Sequence, residues 1–156
     1  DTLNMVKNKE THAVLLRLNA FIPLLIQEDL ADIQHKIQLN MQPGCGVYFD
    51  EAQLRQVLIN LIRNAVRHND PEAQHIELNI YPHEQKMRLD VRDFGQGVAV
   101  QHQASLFQPF FSTEITGTGL GLYLAHSFCE ANQAQLTYAE QQRGACFRLT
   151  CQRAEL

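Results

Sequence analysis

The chain has 156 residues, which fits one compact domain, and its 45% hydrophobic content can fill a sizeable core. Its formal net charge is −4 with the 13 Lys and Arg spread along the sequence, whereas a nucleic-acid surface needs them clustered, so no nucleic-acid partner is expected. The longest apolar run, residues 20–26, holds a proline and is too short to span a bilayer; no signal peptide is expected, and the four cysteines lack the paired spacing of a zinc site and read as reduced thiols.

Residues 1–12 are polar and read as the lead-in from an upstream element; the first residue is Asp, not Met, so a fragment of a longer protein is expected. An apolar stretch spans 13–18, and Asn19 is placed as the cap of a helix running to about residue 31. Ile37, Leu39 and Met41 alternate with polar residues as in a half-buried strand. Pro43-Gly44 marks a turn, and Val47 and Phe49 suggest a second strand. Asp50 opens the next helix, with Gln53 as its capping-box partner. Leu54, Val57, Leu58, Leu61, Ile62 and Ala65 recur along it at helical spacing until Asn69-Asp70-Pro71 stops it. Two alternating strands follow, through Ile76, Leu78 and Ile80 and through Met87, Leu89 and Val91, joined by a hairpin-like turn at 82–86. Residues 94–118 have little regular period. A helix over about 119–132 and strands at 135–140 and 145–151 close the chain. This mixed order predicts an α+β fold: a two-layer sandwich with a mixed sheet of about five strands, covered on one face by about three helices.

The chemistry-bearing residues fall in a few places. Asn60 and Asn64 are four apart on the central predicted helix, Arg67 joins their face, and His68 stands between that face and the apolar stripe. Such a row is either a plain boundary or a seat for metal and phosphate. An amide oxygen is a hard ligand suited to magnesium, and a guanidinium matches phosphate oxygens. Asp93 continues the core-facing alternation of its strand, where a carboxylate is costly without a donor. It caps a local turn, or it accepts from the exocyclic amine of adenine and so prefers ATP to GTP. Gly95 and Gly97 are a turn, or they let a base approach the backbone. Gly117, Thr118, Gly119, Leu120 and Gly121 open a helix, where backbone N–H groups favour a phosphate. Phe107, Phe110 and Phe111 are core plugs or a hydrophobic latch.

These pieces resemble, in order and spacing, the N, G1, F and G2 boxes of sensor histidine kinase catalytic domains, within the group that includes gyrase and the Hsp90 chaperones. The N box is similar to residues 60–68, the G1 box to 93–97, the F box to 107–111 and the G2 box to 117–122; the likeness covers roughly 13–152. The resemblance implies a Bergerat-type fold and a protein histidine kinase, an ATP- and magnesium-dependent transferase of two-component phosphorelay signal transduction. It implies that residues 13–156 form the catalytic ATP-binding domain. Asn60 and Asn64 would then be catalytic, with Asn64 holding Mg2+. Arg67 would contact the phosphates and His68 would lie beside the nucleotide. Asp93 would take the adenine amine, and Gly95 and Gly97 would shape the base pocket. Gly117, Thr118, Gly119, Leu120 and Gly121 would form the hinge and phosphate-binding end of the ATP lid.

Asn60 stands where the gyrase-like and chaperone ATPases hold a water-activating glutamate, and an amide is no general base. None of the seven histidines has the family's phosphoacceptor context, so the acceptor is expected on a separate dimerisation domain, of which residues 1–12 are the remnant. A response regulator would take the phosphate afterwards. No Lys or Arg lies between Gly97 and Gly121, so magnesium, Arg67 and backbone N–H groups would offset the phosphate charge. The Phe-x-Pro-Phe-Phe-Ser-Thr stretch is most similar to kinases of the nitrogen-regulator and type IV pilus sensor kind. The resemblance implies a cytoplasmic domain without membrane contact of its own, in a parent that can be an inner-membrane sensor. The rival readings are a catalytically silent nucleotide-sensing scaffold and a serine kinase of the anti-sigma-factor type.

Overall fold

The computed structural model of the chain describes residues 10–111 and 120–156; Gly117, Thr118, Gly119 and residues 1–9 of the expected lead-in lie outside them. Strand β1 (Ala13–Arg17) pairs antiparallel with β3 (Gly46–Asp50) as a separate two-stranded ribbon. β1 runs without a loop into helix α1 (Leu18–Asp29), whose N-cap is Arg17 with no side-chain cap bond. The expectation that Asn19 caps this helix is therefore corrected. Strand pairing fixes where the helix starts, with Leu18 N–H donating to Cys45 O at 2.9 Å. Asn19 instead donates from Nδ2 to Gln42 O at 2.9 Å and accepts at Oδ1 from Cys45 N–H at 2.8 Å, which staples the turn ahead of β3.

A short 3-10 helix, Ala31–Lys36, leads into β2 (Ile37–Met41). Helix α2 (Glu51–His68) follows β3 directly. Asp50 caps it as expected, with Oδ1 accepting from Gln53 N–H at 3.0 Å. The reciprocal half of a capping box is absent, because Asp50 N–H donates to Asn132 Oδ1 at 2.8 Å and Gln53 turns its amide elsewhere. The long apolar stripe of α2, from Leu54 to Ala65, is fully buried. Strands β4 (Ile76–His83) and β5 (Lys86–Arg92) form a hairpin whose turn holds Glu84 at φ 56°. A four-residue helix α3 (Val100–Gln103), too short to show a period, precedes α4 (Gly121–Ala131), β6 (Gln135–Ala139) and β7 (Cys146–Gln152).

The main sheet has the order β2-β4-β5-β7-β6, with β2 and β4 parallel and the other pairs antiparallel. A parallel neighbour needs a crossover, and β3 with α2 supplies it. Ile76, Leu78, Ile80, Met87, Leu89, Val91 and Leu149 form one core with the buried faces of α1, α2 and α4. On the opposite face of the sheet, Asp90 is 6% exposed, and it is satisfied by Arg148 Nε at 3.0 Å and Tyr81 Oη–H at 2.7 Å. The four thiols are buried; burial pushes Cys129 and Cys146 up to about 12, far from reactive thiolates. Among the described residues, no helix is long and apolar enough to cross a membrane.

Candidate functional site

Asn60, Asn64, Arg67, His68 and Asp93 open into one cavity of about 1130 Å3, together with Gly95, Gly97 and Gly121. That volume lies just above the usual range of about 300–1,000 Å3 for small-molecule sites. Helix α2 supplies the first wall, because its apolar stripe faces the core and its polar row emerges beside it. Asn64 is half-buried and its Oδ1 accepts from Arg67 Nη2–H at 3.1 Å, while Arg67 and His68 are exposed. Asn60 accepts at Oδ1 from Gln56 Nε2–H at 3.0 Å and donates from Nδ2 to Gly121 O at 3.2 Å. Asn60 therefore ties α2 to the start of α4. Arg63, inside the same sequence box, turns away from that row and grips Asp32 at 3.1 Å.

Asp93 lines the same cavity near the end of α2. It is 2% exposed, facing the core side as its strand alternation predicts. Its Oδ1 accepts from Gly95 N–H at 2.9 Å and from Ala145 N–H at 3.2 Å. Among the described residues, no donor reaches Oδ2. Burial raises the carboxyl above its ordinary value, opposed by the two backbone donors and by nearby His68. The carboxylate thus caps a local turn with one oxygen and leaves the other for a donor from outside.

Three glycines pack this end so closely that no side chain fits. A Cβ on Gly95 would stand 2.0 Å from His68 O, and one on Gly144 would stand 2.0 Å from Asp93 O. Gly97 (φ 76°) and Gly144 (φ 81°) also sit in the left-handed region. Gly121 differs, since a Cβ there would meet nothing within 4 Å. It opens α4 at the cavity without a side-chain cap, and Gly121 and Leu122 of the first turn line this space. Phe107 and Phe111 pack against the core, Phe107 stacking on His126 at 4.9 Å, whereas Phe110 is 66% exposed at φ 65°. Two of the three phenylalanines are therefore plugs.

Sequence reasoning missed Asn69, Arg143 and Gly144 as parts of the site. Asn69, read only as a helix stop, accepts at Oδ1 from Phe94 N–H at 2.8 Å and donates to His75 O at 3.3 Å. It holds the 93–97 loop against the end of α2. Arg143 pairs with Asp70 across the lining of the cavity. The one local signal was a lone glycine ahead of the last strand. Asn69→Ala is expected to cost about 1–3 kcal/mol, because Phe94 N–H loses its acceptor. Thermal unfolding of the variant checks this, and an unchanged midpoint would remove Asn69 from the architecture of the site.

The profile of the "Histidine kinase-, DNA gyrase B-, and HSP90-like ATPase" family matches residues 49–155. The chain is similar to the Sensor protein kinase PilS of Pseudomonas aeruginosa, at 34% identity over 158 aligned positions covering 96% of this chain and 30% of PilS. It therefore spans less than a third of that relative's length. Among solved structures, the histidine kinase AdeS of Acinetobacter baumannii superposes with a TM-score of 0.77 at 27% identity, over 97% of this chain and 73% of that one. Full-length ShkA, solved in complex with AMPPNP, gives 0.78 at 25% identity, over 95% of this chain and 32% of ShkA. With the match to the family profile spanning both walls of the cavity, the chain belongs to the histidine kinase-, DNA gyrase B- and HSP90-like ATPase family, as an ATP-binding domain of the histidine kinase kind.

Proposed function

We propose that this chain holds Mg-ATP in the cavity between α2, the 93–97 loop and α4, and transfers the γ-phosphoryl group to a histidine on a separate dimerisation domain of a two-component sensor kinase. The observation that carries this reading is the one cavity that Asn64, Arg67, His68 and Asp93 line together. The AMPPNP held by ShkA supports a nucleotide as its occupant. The adenine amine donates to Asp93 Oδ2, and Gly95 and Gly97 leave room for the ring. The phosphates run toward Arg67 and the first-turn N–H groups of α4, with Leu120 and Gly121 beside them and Gly117, Thr118 and Gly119 completing the lid hinge.

Asn64 offers a hard amide oxygen and Arg67 a guanidinium beside it, a donor set that suits magnesium bound to phosphate. Magnesium, when bound, supplies neutralisation of the phosphate charge. The chain's own part is positioning and electrostatics. The imidazole nitrogen of the acceptor forms the new N–P bond as the bond from γ-phosphorus to its bridging oxygen breaks. ADP leaves with that electron pair, and the imidazolium so formed loses its other ring proton to solvent. Asn60 cannot activate water, and both halves of its amide are engaged. ATP therefore waits for the histidine instead of hydrolysing. In this reading residues 1–12 arrive from the dimerisation domain, and a response regulator accepts the phosphate from the histidine.

Asn64→Ala is expected to lose at least about tenfold in ATP affinity when magnesium is present, and to bind equally with magnesium or EDTA. Isothermal calorimetry in both buffers checks this; a variant that keeps its magnesium dependence would remove Asn64 as the ligand. Labelled ATP mixed with the chain and its cognate histidine hairpin should give an acid-labile phosphoprotein. Absence of label where ATP binds would sink the kinase reading.

A further inference from the structure

One buried polar knot lies outside the cavity. Asn132, 4% exposed just past the end of α4, accepts at Oδ1 from Asp50 N–H at 2.8 Å. Its Nδ2 donates to Gln53 Oε1 and to Phe128 O, both at 2.8 Å. Gln53, 1% exposed, in turn donates from Nε2 to Thr11 Oγ1 at 3.0 Å, and Asp50 Oδ2 accepts from His12 N–H at 2.9 Å. Its buried members, Asp50, Gln53 and Asn132, are polar groups that would be costly unpaired.

This knot joins the beginning of α2 to the end of α4. The second tie, Asn60 Nδ2–H to Gly121 O, joins the middle of α2 to the beginning of α4. The helices are thus antiparallel, and α4 is pinned at both of its ends. Gln53, Gln56, Asn60 and Asn64 stand three, four and four residues apart, so one amide row runs along α2 from the knot to the cavity. An apolar helix interface alone tolerates axial slippage; directional hydrogen bonds at two points do not.

We propose that Asn132 and Gln53 are positioning residues that set the axial register of α4 against α2, and that Thr11, bonded to Gln53, helps to hold this register. That register fixes where the α4 N-terminus stands relative to Asn64. The inference rests on the nucleotide reading only for its consequence; the register itself exists without ligand.

The test uses the full chain with Thr11→Val, which removes one hydroxyl, and Thr11→Ser, which keeps it. Hydrogen exchange is followed without nucleotide at Leu124, whose N–H donates to Leu120 O at 2.8 Å, and at Ala125 after it. Thr11→Val should speed exchange there by about five- to tenfold, leave β4 and β5 amides at wild-type rates, and raise the Kd for a fluorescent ATP analogue by a similar factor. Thr11→Ser should restore both. A purely structural role would instead speed exchange uniformly as the fold weakens. Wild-type rates at Leu124 in Thr11→Val, or a uniform rise, would overturn the register proposal. If the wild type fails to bind the analogue while the local exchange pattern appears, the register stands and the nucleotide reading falls. Asn132→Leu should give the larger effect; should it not fold, the Thr11 pair decides.

Discussion

Asp93→Asn is expected to lower ATP affinity by roughly 10- to 100-fold while leaving the fold in place, the range for a hydrogen bond to a charged group. The substitution separates the two jobs of this side chain. An amide oxygen can still accept from Gly95 and Ala145 at the Oδ1 position. At the other position a donor replaces an acceptor and meets the adenine amine donor to donor. The same swap suits the carbonyl of guanine, so the preference for ATP over GTP should shrink. A titration of both nucleotides against parent and variant checks this, and equal ATP affinity would remove Asp93 from the adenine assignment.

The pH dependence follows from the same burial. The folded carboxyl titrates above its unfolded value, chiefly through desolvation. Between the two values the folded state binds the extra proton, so Asp93 makes the ligand-free domain less stable as pH rises through that window. ATP affinity should move the opposite way and rise over the window, because the amine needs an ionised acceptor. Asp93→Asn should flatten both trends. Thermal midpoints and nucleotide titrations across the carboxylate range measure them.

Gly144→Ala should have the largest effect on stability. Its Cβ would press on Asp93 O at 2.0 Å and on Phe94 Cα at 2.9 Å, both backbone, and at φ 81°. Overpacking costs about 1–3 kcal/mol and the left-handed conformation about 1–2. At about 2–4 °C per kcal/mol, the midpoint should fall by roughly 4–20 °C. Gly121→Ala is the control. It has open space and a helical position, so it should melt within about 2 °C of the parent. If both variants melt alike, the close approach of Gly144 to Asp93 carries no weight in the fold.

What could be read from the sequence was what repeats locally. The α2 stripe, the alternation that aims Asp93 inward and the Asp50 cap each depend on neighbours a few residues away, and each stands in the structure as expected. The polar row from Asn60 to Arg67 follows from the same helical spacing. The likeness to PilS fits the pilus-sensor kind expected from the Phe-rich stretch. What stayed hidden depends on distant pairing. Asn69 acts on Phe94, Gly144 crowds Asp93, and Asn132 serves Asp50 across a separation of 82 residues. No period announces such contacts. Asn19 misled because its residue type suits a cap, while the pairing of β1 with β3 already dictated where the helix begins.

The placement of Ala145 and β7 has a consequence for biosynthesis. β7 follows β6 in sequence, yet it lies between β5 and β6, and Ala145 just ahead of it donates one of the two backbone N–H groups that Asp93 holds. A ribosome that has released everything up to β6 has made every side chain of the polar row, but not the strand that finishes the purine end. Competence for ATP should therefore appear only once residues 145–152 have emerged and slotted into the gap.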